Sequence, residues 1–320
     1  MKPLLEITDL SVDIRSKGKT LPVLQSVDLS LYPSEILALV GESGCGKSLT
    51  ALSITRLLPE NISAYRSGAV LYKERDILKL PQNELNEIRG KEISYIFQDP
   101  FTSLNPVKKI KDQIIESYMI HVSPDEKKAV EKAKYLLSRV GLTDLDSRLN
   151  SYPGQFSGGM LQRVSIAMAL MCDPEILIAD EPTSALDVTI QAQLVDLLLE
   201  IKKENRMSIL FISHDLALVS NIADRIQVMY AGQTVEISTS EELIRNPKHP
   251  YTADLLASIP RMEDSVHELV PIEGTVPSPD AFPKGCHYEP RCRKRKEKCI
   301  QEKPLMRQSE NTRTRCFLYD

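Results

Sequence analysis

An α/β fold with a buried parallel sheet is predicted by three observations. Short apolar runs alternate with helical periodicity, a glycine-rich octapeptide closes one such run and opens a helix, and a second run ends in two adjacent carboxylates. The length of 320 residues, 42% hydrophobic and 26% charged, allows one large α/β unit with additions or two structural units, either with a sizeable core. The longest apolar runs, such as Ile36 to Val40 and Ile166 to Cys172, fall far short of the roughly 18 residues that a membrane span needs. Glu6 interrupts the N-terminal segment where a signal peptide continues its apolar region, so export is not expected and an intracellular location is.

Leu4 to Ile14, Val23 to Leu31 and Glu35 to Val40 read as strands, with a polar Ser16 to Thr20 loop between the first two. The third ends in Gly41-Glu-Ser-Gly-Cys-Gly-Lys-Ser48, after which Leu49, Leu52, Ile54, Leu57 and Leu58 suit a helix stopping before Pro59. In this strand, loop and helix order the glycines let backbone amides wrap around anionic oxygens, and the helix start adds positive potential. Lys47 then reaches the β and γ phosphates of a nucleotide and the Ser48 hydroxyl ligates Mg2+, while Cys45 reads as a small filler.

Residues 106–173 carry helical periodicity with long charged stretches such as Ser123 to Arg139 and no convincing strand, as expected of an inserted helical subdomain. Strand and helix alternation then resumes, with Ile176 to Asp180 a buried strand, Val188 to Lys203 a helix and Ser208 to Ser213 a strand. Ile226 to Met229 and Thr234 to Ile237, joined across Ala231-Gly232, read as a closing hairpin. Asp180 suits the Mg2+ shell, Glu181 suits a general base for an attacking water, and His214 suits a hydrogen bond to water and the γ-phosphate.

Composition changes near residue 260, where a proline-rich, basic stretch begins. Between 284 and 316 there are eleven Lys and Arg against four acids, a net +7 that leaves −11 for the remainder of a chain whose total is −4. The expected organisation is 1–105 with 174–259 as a nucleotide-binding core, 106–173 as the helical subdomain and 260–320 as a C-terminal extension.

Ser157-Gly-Gly-Met-Leu-Gln-Arg163 sharpens the reading, because it closely resembles the signature of ATP-binding cassette (ABC) ATPases. Ser157 is a good N-cap, and Met160, Val164, Ala167, Met168 and Met171 continue a helix. Gln98 matches the glutamine loop that family members use to sense Mg2+ and nucleotide, Ser184-Ala-Leu-Asp187 the loop at the dimer interface, and His214 the switch histidine. The resemblance spans residues 4 to 260 and implies a P-loop cassette with a RecA-like core and an antiparallel β subdomain. It implies ATP contacts from Gly41, Glu42, Ser43, Gly44, Cys45, Gly46, Lys47, Ser48 and Leu49, and from Ser157, Gly158, Gly159 and Asp187 across a pair of cassettes. Glu181, His214 and Gln98 are then the catalytic set, and Ser48, Gln98 and Asp180 the Mg2+ set. Phe156 and Met160 depart from the usual Leu and Gln of the signature, and Ile14 replaces the aromatic residue that commonly stacks on adenine, so aliphatic contact is expected there.

Gln98-Asp-Pro-Phe-Thr-Ser-Leu-Asn-Pro106, Ala223-Asp-Arg-Ile-Gln-Val-Met-Tyr-Ala-Gly232 and Asn246-Pro-Lys-His-Pro-Tyr-Thr-Ala-Asp-Leu-Leu256 resemble the ATPase subunits of dipeptide and oligopeptide importers, in particular the first of the two such subunits. That resemblance implies a homologous second ATPase subunit, two transmembrane permease subunits, a peptide-binding protein outside the membrane, and peripheral attachment to the cytoplasmic membrane face. ATPases of nickel or metal-chelate importers, and soluble ABC ATPases, are the alternatives. Cys286-x5-Cys292-x6-Cys299-x16-Cys316 resembles the cysteine motif of the same subunits, and four thiolates enclose either a [4Fe-4S] cluster or Zn2+. No close pair of the zinc-ribbon kind occurs, which favours the cluster over the alternatives of zinc and unliganded thiols. The Arg293 to Lys298 run reads as solvated surface or as attraction to an anionic membrane face; nucleic acid is not expected, since no aromatic platform accompanies it.

Overall fold

The computed structural model describes residues 2–16, 18–183, 188–258 and 271–320, with the side chains of 188 and 189 left aside. The Ser184 to Asp187 loop and the composition boundary near residue 260 lie outside the described residues. The chain divides into two compact units: Met1–Tyr32, Ile36–Lys79 and Ile212–Asp320 form the first, Pro33–Glu35 and Leu80–Phe211 the second.

Among the described residues the strands are β1 (Leu5–Ser16), β2 (Lys19–Leu31), β3 (Ile36–Val40), β4 (Ser63–Tyr72), β5 (Arg75–Asp76), β6 (Ile93–Ile96), β7 (Ile176–Asp180), β8 (Ser208–Ser213), β9 (Arg225–Tyr230), β10 (Gln233–Thr239), β11 (Arg307–Ser309) and β12 (Thr312–Thr314). In the first unit β2, β1, β4 and β5 form an antiparallel sheet. β3 lies parallel to β9, and β9, β10, β12 and β11 follow as antiparallel neighbours. All five residues of β3 are buried, which requires cover on both faces and explains why its sequence is apolar without alternation.

The loop expected at Ser16 to Thr20 is tighter than its polar composition suggested, because Arg15 pairs with Thr20 and Ser16 with Lys19 at the exposed end of the hairpin. The helix after the glycine loop spans Lys47–Ile54 and stops four residues before Leu58. Arg56 takes a left-handed conformation (φ 52°) while the Leu57 amide donates to Leu52 O and the Arg56 amide to Ser53 O, a Schellman ending that the apolar run concealed. β4 escaped the sequence reading because Val70 and Tyr72 are its only fully buried residues, too few to mark an apolar pattern.

The proline-rich tail is tied into the first unit by ordinary packing. β12 pairs with β10 through Glu236 with Thr314 and Ile237 with Arg313. Arg315 is buried and donates to Thr234 O at 2.9 Å and Ser26 O at 3.1 Å. Tyr288 packs against the rings of Tyr230 and Tyr251 and donates to Asp254 Oδ2 at 2.5 Å.

In the second unit β7 lies between β6 and the 208–211 part of β8, and β6 runs parallel to β7 from Ile93 with Ile176 to Ile96 with Ala179. Every residue of β7 and β8 is buried. The helix Glu126–Arg139 starts at Asp125, whose carboxylate accepts from the Lys127 and Lys128 amides. Its buried stripe is Ala129, Ala133, Leu136 and Leu137, so the lysines between them stay outward. It packs on the helix Gly158–Ala169, which buries Leu161, Val164, Ile166 and Ala167. Among the described residues no helix is long and apolar enough to cross a membrane.

Candidate functional site

In the first unit the octapeptide leaves β3 and turns sharply into the helix Lys47–Ile54. Gly41 (φ 151°) and Gly46 (φ 106°) allow no side chain: a Cβ on Gly41 would strike Met229 O and approach Cys45 Sγ to 2.8 Å, and one on Gly46 would meet Leu24 at 2.8 Å. Lys47 is 6% exposed, and its ammonium donates to Gly41 O at 2.8 Å and Glu42 O at 3.2 Å. No side chain caps the helix start and no acid lies in its first turn, so its positive end faces the loop uncompensated by the helix's own carboxylates. Cys45 is fully buried, its thiol pushed up by desolvation, which fits the filler role. His214 follows β8 and is exposed, and the next residue, Asp215, caps the helix Leu216–Ile222 by accepting from the Leu218 amide.

In the second unit the parallel register of β6 and β7 carries both chain ends to one edge. Tyr95 Oη donates to Asp180 Oδ2 at 2.8 Å, and Gln98 Nε2 donates to Glu181 Oε2 at 2.9 Å. Asp180 is 4% exposed. Burial, then the neighbouring Asp180 charge, pushes the Tyr95 phenol well above its usual range, so it stays protonated and a donor. Glu181 holds a left-handed backbone (φ 46°), uncommon for a residue with a side chain and a form of strain that recurs at functional positions. Ser157 is exposed and its Oγ accepts from the Met160 amide at 3.4 Å, while Gly158 lies under the Phe101 ring.

The tail brings its four cysteines to one small cavity in the first unit, lined by Cys286, Cys292, Cys299 and Cys316 together with His249 and Phe317. Gly285 sits so close to Cys299 O and Ile300 that no Cβ fits, and the Cys286 amide donates to Cys299 O at 2.8 Å. Burial, reinforced by the other three thiols, pushes Cys286 up to about 12. The Lys296 amide donates to Cys299 Sγ at 3.4 Å. None of the cysteines is in a disulfide. Among the described residues no three Cys, His, Asp or Glu side chains are grouped to hold a metal ion.

Comparison with known proteins decides the family. The ABC transporter model matches residues 24–184, and the model for the oligopeptide/dipeptide transporter C-terminal region matches residues 235–299. The chain belongs to the ABC transporter family. It is 44% identical to the dipeptide transport ATP-binding protein DppD of Bacillus subtilis across the whole of this chain and 96% of that one. It is likewise 44% identical to the oligopeptide transport ATP-binding protein AppD of the same organism, over 98% of that chain. In structure it resembles the dimeric form of MJ0796, a bacterial ABC transporter cassette, with a TM-score of 0.66 and 24% identity over 74% of this chain and 98% of that one, which supports the fold.

Within this ABC transporter chain the expected site residues divide between the units. Gly41 to Leu49, His214 and the four cysteines lie in the first; Gln98, Ser157, Gly158, Gly159, Asp180 and Glu181 lie in the second; Asp187 falls outside the described residues. Sequence reasoning missed Tyr95, because the four-residue β6 was not recognised and only its register against β7 brings that phenol to Asp180. Arg291 stands one residue before Cys292, and its guanidinium pairs with Glu42.

Proposed function

We propose that this chain is the ATP-hydrolysing subunit of an importer for dipeptides or oligopeptides. The observation that carries the catalytic part is the pairing of Gln98 with Glu181 at the edge shared by β6 and β7, beside a buried Asp180 held by Tyr95. In this reading Lys47 exchanges its carbonyl acceptors for phosphate oxygens, and the loop amides and helix start bind the remaining charge. Glu181 accepts a proton from the attacking water as that oxygen bonds to the γ-phosphorus and the bond to ADP breaks; His214 and Gln98 orient water and phosphate. Asp180, Gln98 and Ser48 are the residues suited to hold Mg2+, which supplies charge neutralisation to the phosphates. The buried carboxylate of Asp180 fits a hard cation.

Peptide cargo is supported by the C-terminal match and the relatives' names, which favour it over nickel or metal chelates. The same reading assigns a homologous second cassette, two permease subunits, a separate peptide-binding protein and a peripheral place on the cytoplasmic membrane face. For the tail we propose that Cys286, Cys292, Cys299 and Cys316 hold a [4Fe-4S] cluster, with Zn2+ as the alternative. The shared cavity and the amide donated to Cys299 Sγ support a multi-thiolate site.

The test is Glu181→Gln in the assembled complex. It is expected to bind ATP with wild-type affinity while hydrolysis falls by at least about 100-fold. Near-normal turnover would remove Glu181 from the role of base.

A further inference from the structure

Glu42 presents a physical problem. It stands in a loop whose task, in the reading above, is to receive a polyphosphate, and it brings the same sign of charge as the ligand. Each polar group of this residue has a partner: its amide donates to Tyr251 Oη at 2.9 Å, its carbonyl accepts from Lys47, and its carboxylate accepts from Arg291 Nη1 at 3.0 Å (Oε1) and 3.1 Å (Oε2).

Arg291 comes from the C-terminal extension, one residue before Cys292, which lines the thiol cavity. Its side chain is 6% exposed against 28% for Glu42. The guanidinium is fixed from several sides: Nε donates to Glu273 O at 2.8 Å, Nη2 to Ile272 O at 3.3 Å and Nη1 also to Tyr230 Oη at 3.4 Å, and its Cζ lies over the Tyr230 ring, 5.7 Å from the centroid. A cation so enclosed is screened far less than a surface lysine, and its direction is set before any ligand arrives.

We propose that Arg291 is a positioning residue of the ATPase: from the cysteine-bearing extension it neutralises Glu42 and holds that side chain so that the loop can accept a triphosphate. The extension is then part of the nucleotide site's electrostatics, not an appended module. This rests on the reading of Gly41 to Ser48 as the nucleotide loop, and the experiment separates the two.

The purified full-length chain is titrated with a fluorescent ATP analogue at low and high salt, in wild type, Lys47→Ala, Arg291→Ala, Glu42→Gln and the Glu42→Gln/Arg291→Ala double variant. Loss of binding in Lys47→Ala supports the loop reading; equal binding in that variant and wild type sinks both claims. Arg291→Ala is expected to weaken binding about fivefold to tenfold at low salt and by less at high salt, because one unpaired charge then faces the phosphates. In the Glu42→Gln background the same substitution is expected to change affinity by less than about twofold, since no charge remains to be cancelled. An undiminished loss there makes Arg291 merely structural and overturns the proposal, as does wild-type binding in Arg291→Ala. Arg291→Gln, which keeps donors and most of the volume without the charge, runs the same cycle where the alanine variant does not fold.

Discussion

His249 sits inside the first unit with its Nδ1 accepting from the Tyr251 amide at 3.1 Å, and burial, with a smaller push from Arg315, lowers its pKa to about 3. Glu236 faces its backbone, taking the His249 amide at 2.8 Å. Since an unfolded histidine protonates near pH 6.5, the unfolded chain binds the extra proton first, so the stability due to neutral His249 is full above that pH and is lost as pH falls from about 6.5 towards 3. His249→Asn keeps a helix-capping acceptor without the titration. Its deficit in unfolding free energy relative to wild type is expected to shrink as urea melts move from pH 7 to pH 4, and a constant deficit refutes the account. Tyr95 shows the opposite use of burial, since there a raised pKa preserves a donor for Asp180.

At the level of elements, the strand pair β6 and β7 and the tail hairpin β11 and β12 do the positioning. The first pair aligns Gln98 with Glu181 through its register. The second anchors the end of the tail against β10 and brings Cys316 to the cavity already lined by Cys286, Cys292 and Cys299. The pKa values of Cys286, Cys292 and Cys316 are raised by partial or full desolvation, so bare thiolates are costly there, and a bound positive centre reverses that cost. Anaerobic purification is therefore expected to yield about four iron and four sulfide per chain, with Cys292→Ser lowering both. Stoichiometric zinc selects the alternative, and folded protein containing neither metal rejects the assignment. The glycine before Cys286 and the helix Glu297–Gln301 that carries Cys299 form this module without a conventional apolar pattern, which is why the sequence marked it by cysteine spacing alone.

For the whole molecule, the exposed cap Ser157 at the start of the Gly158–Ala169 helix matters most, because in the resemblance that feature faces nucleotide on another cassette. The purified chain alone is thus expected to hydrolyse ATP at least about tenfold more slowly than the complex with its second cassette and permeases; equal rates would contradict the proposed assembly. Most of the fold and of the candidate site was legible in order along the chain: the glycine loop after β3, the acid pair after β7, the Ser157 cap and the cysteine spacing. These are local features, set by backbone sterics, strand burial and helix-end electrostatics within a few residues. Which distant groups complete them was not legible. Tyr95 reaches Asp180 only through strand register, and Arg291 reaches Glu42 across 249 residues of sequence. A single sequence therefore determined the kind of loop and the kind of acid, whereas the tertiary structure decided what holds and neutralises them, because charge compensation depends on distance in space and leaves no periodicity along the chain.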